Sequence, residues 1–271
     1  MTQGPWTEVG DRVFVRRYAF FDQDIGAILT ADGPVVIDTR STPAQARAIL
    51  DDLRALTAQP VAAVIDTHHH FDHSFGNRQF RPAPIWGHVR CAERIRAMGA
   101  AHIQELAEEY PEVAGELGEV VFDPPDRTFG DEGVDIEIGG RQLALRWLGR
   151  GHTDNDVVVR VPDAAVLFAG DLLENGATPY FGDGYPLDWP ATATTVRALV
   201  EGAVVPGHGD VAGVEFVDRS IVAFRSIADL ARRVHAGELD LAAAIAAAPY
   251  PAADAVEPLQ RGLAQLRGEL D

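Results

Sequence analysis

"IDTHHHFDHSFGN", Ile65 to Asn77, places four histidines and one aspartate in the six positions from His68 to His73. In an extended segment alternate side chains share a face, so His68 and His70 are expected to project together while His69 points away. The chain must then turn, and Asp72 and His73 stand side by side where it does. Two like donors followed by a second pair suggest two adjacent metal sites. Imidazole nitrogens and a hard aspartate oxygen suit zinc, with iron or manganese as alternatives.

Neither site is complete on these four residues, since a catalytic zinc takes about three protein ligands and a water. Three later positions supply candidates, each expected just beyond a strand. They are His152 in "GRGHTDND", Asp171 in "LFAGDLLENG" and His208 in "VVPGHGD". Flanking glycines let the backbone turn sharply and present a side chain at a sheet edge.

Outward from these motifs the chain reads as two successive halves of strands followed by helices. "DRVFVRRYAF", "DIGAILTADGPVVIDT" and "VAAVIDT" read as strands, and "TPAQARAILDDLRALTA" reads as a helix capped by the threonine before Pro43. "HVRCAERIRAMGAAHIQELAEEY" reads as one or two helices. The second half repeats the plan: "VDIEIGGRQLALRWLG" and "DVVVRVPDAAVLFAG" each fold as paired strands, and helices follow at "ATATTVRALVEG" and "VEFVDRSIVAFRSIADLARRVHAG". The class is α/β, with two sheets face to face and helices outside. Residues 1–237 form the domain, and 238–271 add a short helical extension.

Composition narrows the function. The net charge of -18 opposes binding to phosphate backbones, so nucleic acid is excluded as a partner. Apolar runs are broken well short of about 20 residues, so no membrane span is expected. The N-terminus lacks a secretory pattern, and the chain reads as cytoplasmic. Cys91 is the sole cysteine, which rules out an internal disulfide. All 23 basic residues are arginine, so Schiff-base chemistry on lysine is ruled out. A small molecule is the expected partner, and a homodimer is left open.

The ordered set HxHxDH at His68, His70, Asp72 and His73, then GH, GD and GHG, resembles the metallo-β-lactamase superfamily, from about Val13 to Gly209. The resemblance implies a four-layer αβ/βα sandwich of two mixed β-sheets, with helices on the outer faces and metals at one sheet edge. It also implies that His68, His70 and His152 hold a first metal, that Asp72, His73 and His208 hold a second, and that Asp171 bridges the two. Asp38, ending the early strand "VVIDT", would support the site from behind. "FFDQDIGAIL" departs from the asparagine-containing hairpin often found there.

Two zinc ions about 3.5–4 Å apart would acidify a shared water, giving a bridging hydroxide as nucleophile, with Asp72 orienting it or moving its proton. The expected reaction is hydrolysis of a small ester, thioester or lactone. An aspartate at position 171, where many β-lactamases of the superfamily carry cysteine, resembles glyoxalase II, lactonases and thioesterases. The short acidic tail departs from glyoxalase II, and Asp171-Leu172-Leu173-Glu174 departs from the lactonases with a tyrosine there. A β-lactam hydrolase with a bridging aspartate and a mononuclear iron, persulfide-dioxygenase-like oxidoreductase remain as alternatives. The loop "ENGATPYFGDGYPLDW" offers Tyr180, Phe181, Tyr185 and Trp189 as pocket walls. His88, His102 and His235 lie outside the motifs and are expected to be structural or solvent-facing.

Overall fold

The computed structural model describes residues 5–270; Met1–Gly4 and Asp271, the last residue of the expected helical tail, lie outside the described residues. The first half runs β1 (Thr7–Gly10), β2 (Val13–Tyr18), β3 (Gln23–Thr30), β4 (Gly33–Ile37), α1 (Pro43–Leu53), β5 (Ala63–Ile65), α2 (Phe71–Ser74), β6 (Ile85–His88), α3 (Val89–Ala97), α4 (Ala100–Glu109), α5 (Ala114–Leu117) and β7 (Arg127–Phe129). The second runs β8 (Val134–Ile138), β9 (Arg141–Trp147), β10 (Val157–Val161), β11 (Val166–Asn175), α6 (Trp189–Ala198), β12 (Ala203–Gly209) and α7 (Val214–His235), then α8 (Leu241–Ala247) and α9 (Val256–Leu266). Thr42 caps α1 as the sequence predicts, its side chain accepting from Gln45 N, with Pro43 following where no amide donor is needed.

Period-2 alternation builds the layers. In β4, Val35 and Ile37 face inward while Val36 faces α1; in β10, Val157 and Val159 face inward while Val158 faces α6 and α7. The central layer of side chains therefore joins both halves: Val13, Ile28, Val35 and Ile65 meet Leu145, Val159, Phe168 and Val205. Outside it, Ile25, Val36 and Val64 pack on Ala46, Ile49 and Leu53 of α1. On the far side, Val158, Leu167 and Ala169 pack on α6 and α7. This is the expected four-layer α/β sandwich. Helices α8 and α9 rest on α7 through Leu230, Ala231, Ala244 and Leu259.

The two facing mixed sheets are linked at one point. Strand order is β7-β6-β5-β4-β3-β12-β11-β10-β9-β8, with β2 also paired to β3, so hydrogen bonding is continuous. The halves are joined by the single antiparallel pair His208↔Gln23. That pair lies beside the histidine cluster, and the sheet splits into two facing layers there. No described helix is long and apolar enough to cross a membrane.

Three of the four aromatics expected in a pocket wall belong to packing instead. Phe181 and Trp189 are fully buried against Phe224, with ring centroids of Trp189 at 4.8 Å from Phe181 and 4.7 Å from Phe224. Trp189 Nε1–H donates to Leu172 O at 3.1 Å, so even its polar atom is turned inward. Tyr185 is buried with the Arg150 guanidinium 4.4 Å from its ring. Trp189 opens α6, and Phe181 and Tyr185 lie in the loop before it; Phe181 and Trp189 fill the apolar layer beneath α6 and α7, which competes with any pocket role. Replacing Trp189 with alanine is expected to destabilise the fold by about 3–5 kcal/mol, read as a lower urea midpoint at unchanged slope; a change within 0.5 kcal/mol would show that the residue is not the anchor described.

Candidate metal centre

Strand β5 ends at Ile65, and the next five residues run irregularly over the sheet edge into α2. Ser74 Oγ donates to the carbonyls of both His69 and His70 at 3.0 Å, fixing this turn. The first turn of α2 then carries Asp72 and His73. His152 comes from the loop after β9. Asp171 and His208 lie inside β11 and β12 rather than just beyond strand ends, because both strands continue past their glycines with irregular register. Gly170, at φ +52, bends β11. Gly207 permits the closest approach: a Cβ there would lie 1.8 Å from Asp171 Oδ1.

The seven predicted ligands come together. His68, His70, His152 and Asp171 offer donor atoms all within 4.8 Å of one another, and Asp72, His73 and His208 form a second such group. Asp171 lies between them. Its Oδ2 is 3.4 Å from His152 Nε2, 3.7 Å from His68 Nε2 and 3.2 Å from His208 Nε2, while Oδ1 is 3.3 Å from His73 Nε2.

Hydrogen bonds on the outer side assign the protons of all five rings. His73 Nδ1–H donates to Asp38 Oδ2 at 2.8 Å, and His208 Nδ1–H donates to Phe21 O at 2.8 Å. His152 Nδ1–H donates to Tyr180 O at 3.1 Å, and His70 Nε2–H donates to the Asp183 carboxylate at 3.1 Å. Thr67 Oγ1–H donates to Asp38 Oδ2 at 2.8 Å, so Thr67 Oγ1 in turn accepts the His68 Nδ1–H at 3.1 Å. A neutral imidazole carries one proton, so each inner nitrogen is left with a lone pair. These lone pairs face one another: His70 Nδ1 and His152 Nε2 are 2.8 Å apart, and His73 Nε2 and His208 Nε2 are 3.2 Å apart. Among the described residues His68 Nε2 and Asp171 Oδ1 are buried with no hydrogen-bond partner. Converging lone pairs and orphaned buried acceptors fit a metal centre of borderline-soft divalent ions.

The electrostatics agree. Burial opposes charge on His73 and His208, yet Asp171 and Asp72 outweigh it and push both pKa values up, so with no ion bound these rings favour a second proton at the inner nitrogen, which a metal would displace. Burial also opposes ionisation of Asp171, but His73, His208, His68 and His152 hold its carboxyl well below the usual range. Burial pulls His152 down to about 4, with Asp171 only partly offsetting it and the neighbouring His70 adding to the fall.

The structure places Asp38 as expected, behind His73 and Thr67. It also brings in two residues that periodicity did not. Asp183, in the loop after β11, orients His70; no motif marks it, though an acidic residue between glycines in a loop already suspected of lining the site was a signal. His69 does not simply point away. Its Nδ1 accepts from Asn155 Nδ2–H at 3.0 Å, so Nε2 carries the proton and faces Asp183 Oδ2 at 3.7 Å. The group His69, His70 and Asp183 therefore holds protons, not an ion. His88 caps α3 through Arg90 N, as a structural residue, whereas His102 reaches the cavity described next.

A cavity of about 510 Å³ opens from the cluster, walled by Phe21, Phe71, Met98, Leu106, Tyr110 and Tyr180. Tyr180 is the one member of the expected aromatic quartet that lines it, half exposed with its ring 6.0 Å from His70.

Because Asp183 fixes the tautomer of His70, Asp183→Ala is expected to weaken metal retention about 10–100-fold in chelator competition. Unchanged retention in a folded variant would remove the orienting role.

Residues 19–208 match the profile of the Metallo-beta-lactamase superfamily. Among relatives, Metallo-beta-lactamase type 2 of Bacteroides fragilis is 33% identical over 101 residues, a match spanning 35% of this chain and 40% of that protein. Acyl-coenzyme A thioesterase MBLAC2 of Bos taurus is 28% identical over 269 residues, covering 83% of this chain and 94% of that protein. The solved metallo-beta-lactamase from Pontibacter korlensis superposes with a TM-score of 0.64 at 22% identity, covering 83% of this chain and 99% of that one, a likeness of fold. With its sandwich, its converging histidines and this match over most of its length, the chain belongs to the metallo-beta-lactamase superfamily, as a metallo-hydrolase.

Proposed function

We propose that the chain is a binuclear zinc hydrolase that cleaves the ester, thioester or lactone bond of a small molecule. The observation that carries this reading is the position of Asp171, within 3.2–3.7 Å of imidazole nitrogens from both ligand groups. One carboxylate facing two sets of lone pairs is the arrangement that two cations need. His68, His70 and His152 would hold one ion, and Asp72, His73 and His208 the other, with Asp171 shared. When bound, such ions supply Lewis acidity toward an acyl oxygen and lower the pKa of water toward neutrality.

The chain's own groups do the rest. Asp72 lines the cavity with its Oδ2 3.3 Å from His73 Nε2 and 3.4 Å from His208 Nε2. Burial opposes its ionisation, but His73 and His208 hold its carboxyl well below the ordinary range. It is placed to take the proton of the attacking water. Water oxygen joins the acyl carbon, the bond to the leaving oxygen or sulfur breaks, and the proton taken up by Asp72 passes to the leaving group, giving the acid and a neutral alcohol or thiol. Gln23 Nε2–H donates to Asp72 O and steadies the backbone beneath it. The aromatic and aliphatic wall excludes water from the acyl chain.

Thioester cleavage is supported by the thioesterase relative that spans most of this chain. A β-lactam is the second reading, favoured by the lactamase relative. Zinc-loaded protein should turn over aryl esters, thioesters or lactones, and Asp72→Ala should lower kcat by about 10²–10⁴. Turnover confined to β-lactams would replace the first reading with the second. Full activity of Asp72→Ala on a confirmed substrate would contradict the proton transfer.

A further inference from the structure

The cavity is acidic as well as apolar. Phe21, Phe71 and Tyr110 form one wall with ring centroids 5.7, 5.1 and 5.2 Å apart, and Tyr180 borders the cavity too. Glu105 and Glu109 rise from α4 at its rim, and Glu174 lies at the end of β11. Asp22, also on the rim, is neutralised by Arg17. Glu105 and Glu109 have no such partner, whereas Glu174 faces His152 Nδ1 at 3.9 Å and burial, with Asp171 beside it, pushes its carboxyl up to about 8. Glu109 accepts from Tyr110 Oη–H at 2.8 Å, Glu174 accepts from Tyr180 N at 3.0 Å, and the charge nearest Glu105 is His102, 3.8 Å away. Among the described residues no arginine lines this cavity, and none forms an ion pair with those three glutamates.

Aromatic faces attract a cation through their quadrupoles, and carboxylates beside them strengthen that attraction. A net charge of -18 adds a field that draws cations to the protein and repels anions. A substrate bearing a carboxylate or phosphates would find glutamates at the rim and no guanidinium to receive it. We propose that the acyl substrate carries an ammonium group on an apolar body, the ammonium resting between the aromatic wall and Glu105 and Glu109. This rests on the hydrolase reading, and it names the substrate class for the same cavity.

The test compares two molecules of equal shape that differ in one charge. Phenylacetate esters of choline and of 3,3-dimethylbutanol are offered to the zinc-loaded protein, and kcat/KM is read for each. Binding of choline and of 3,3-dimethylbutanol themselves is followed separately by NMR titration. The charged member is expected to be preferred by about tenfold or more in both measurements. In the Glu105→Gln/Glu109→Gln double variant the ratio is expected to fall below about threefold, since charge goes while shape stays. A ratio of one or less in the wild-type protein, or an undiminished ratio in the double variant, would overturn the proposal. If neither ester is cleaved while choline still binds preferentially, ester cleavage as the proposed function falls and the cation preference stands. If both esters are cleaved equally well, the reverse holds.

Discussion

Two neutral imidazoles do not hold their lone pairs toward each other at 2.8 Å in a dry interior without positive charge between them. His70 and His152 are in that position, and His73 and His208 come close to it at 3.2 Å. The strain could be relieved by turning any ring over, but outer acceptors prevent this. Asp38, Asp183, Thr67 and two backbone carbonyls each claim one ring proton. Breaking those contacts would leave buried polar groups unmatched, at about 1–3 kcal/mol each. The architecture is thus organised around a demand for cations.

The fold supplies that demand from both halves. Asp38, His68, His70, Asp72 and His73 come from the first, and His152, Asp171, Asp183 and His208 from the second. They meet where the sheet divides and a single residue pair, His208↔Gln23, joins its two layers. The shared core of Val13, Ile28, Leu145 and Phe168 sets the spacing of those layers, so packing far from the metals fixes the distance across the centre. Gly207 is the local adjustment that lets β12 pass against Asp171.

Much of this was legible in the sequence because metal ligation and strand alternation are both short-range patterns. The His68-to-His73 run and the three glycine-flanked positions named all seven donors, and alternation in β4 and β10 named the layers. What was not legible depends on contacts between distant segments. The glycines around Asp183 hint at a turn near the site, but its role as partner of His70, 3.1 Å away, depends on a segment more than a hundred residues distant. His69 looked idle because an extended segment was assumed, whereas the chain has already left β5 and begun to turn. An aromatic loop suits a pocket wall, but Phe181 and Trp189 fill the core under α6 and α7, and Tyr185 lies buried beneath the Arg150 guanidinium. Glycines that let the chain turn sharply put Asp171 and His208 just beyond strand ends in the sequence reading, whereas here the strands continue past them with bent, irregular register.

The most direct test of the central account is a crystal structure of the zinc-loaded protein with anomalous scattering measured across the zinc edge. Two peaks are predicted, one among His68, His70 and His152 and one among Asp72, His73 and His208, with an Asp171 oxygen facing each. A single peak, or rings of His70, His73, His152 or His208 turned so that their lone pairs no longer converge, would contradict it.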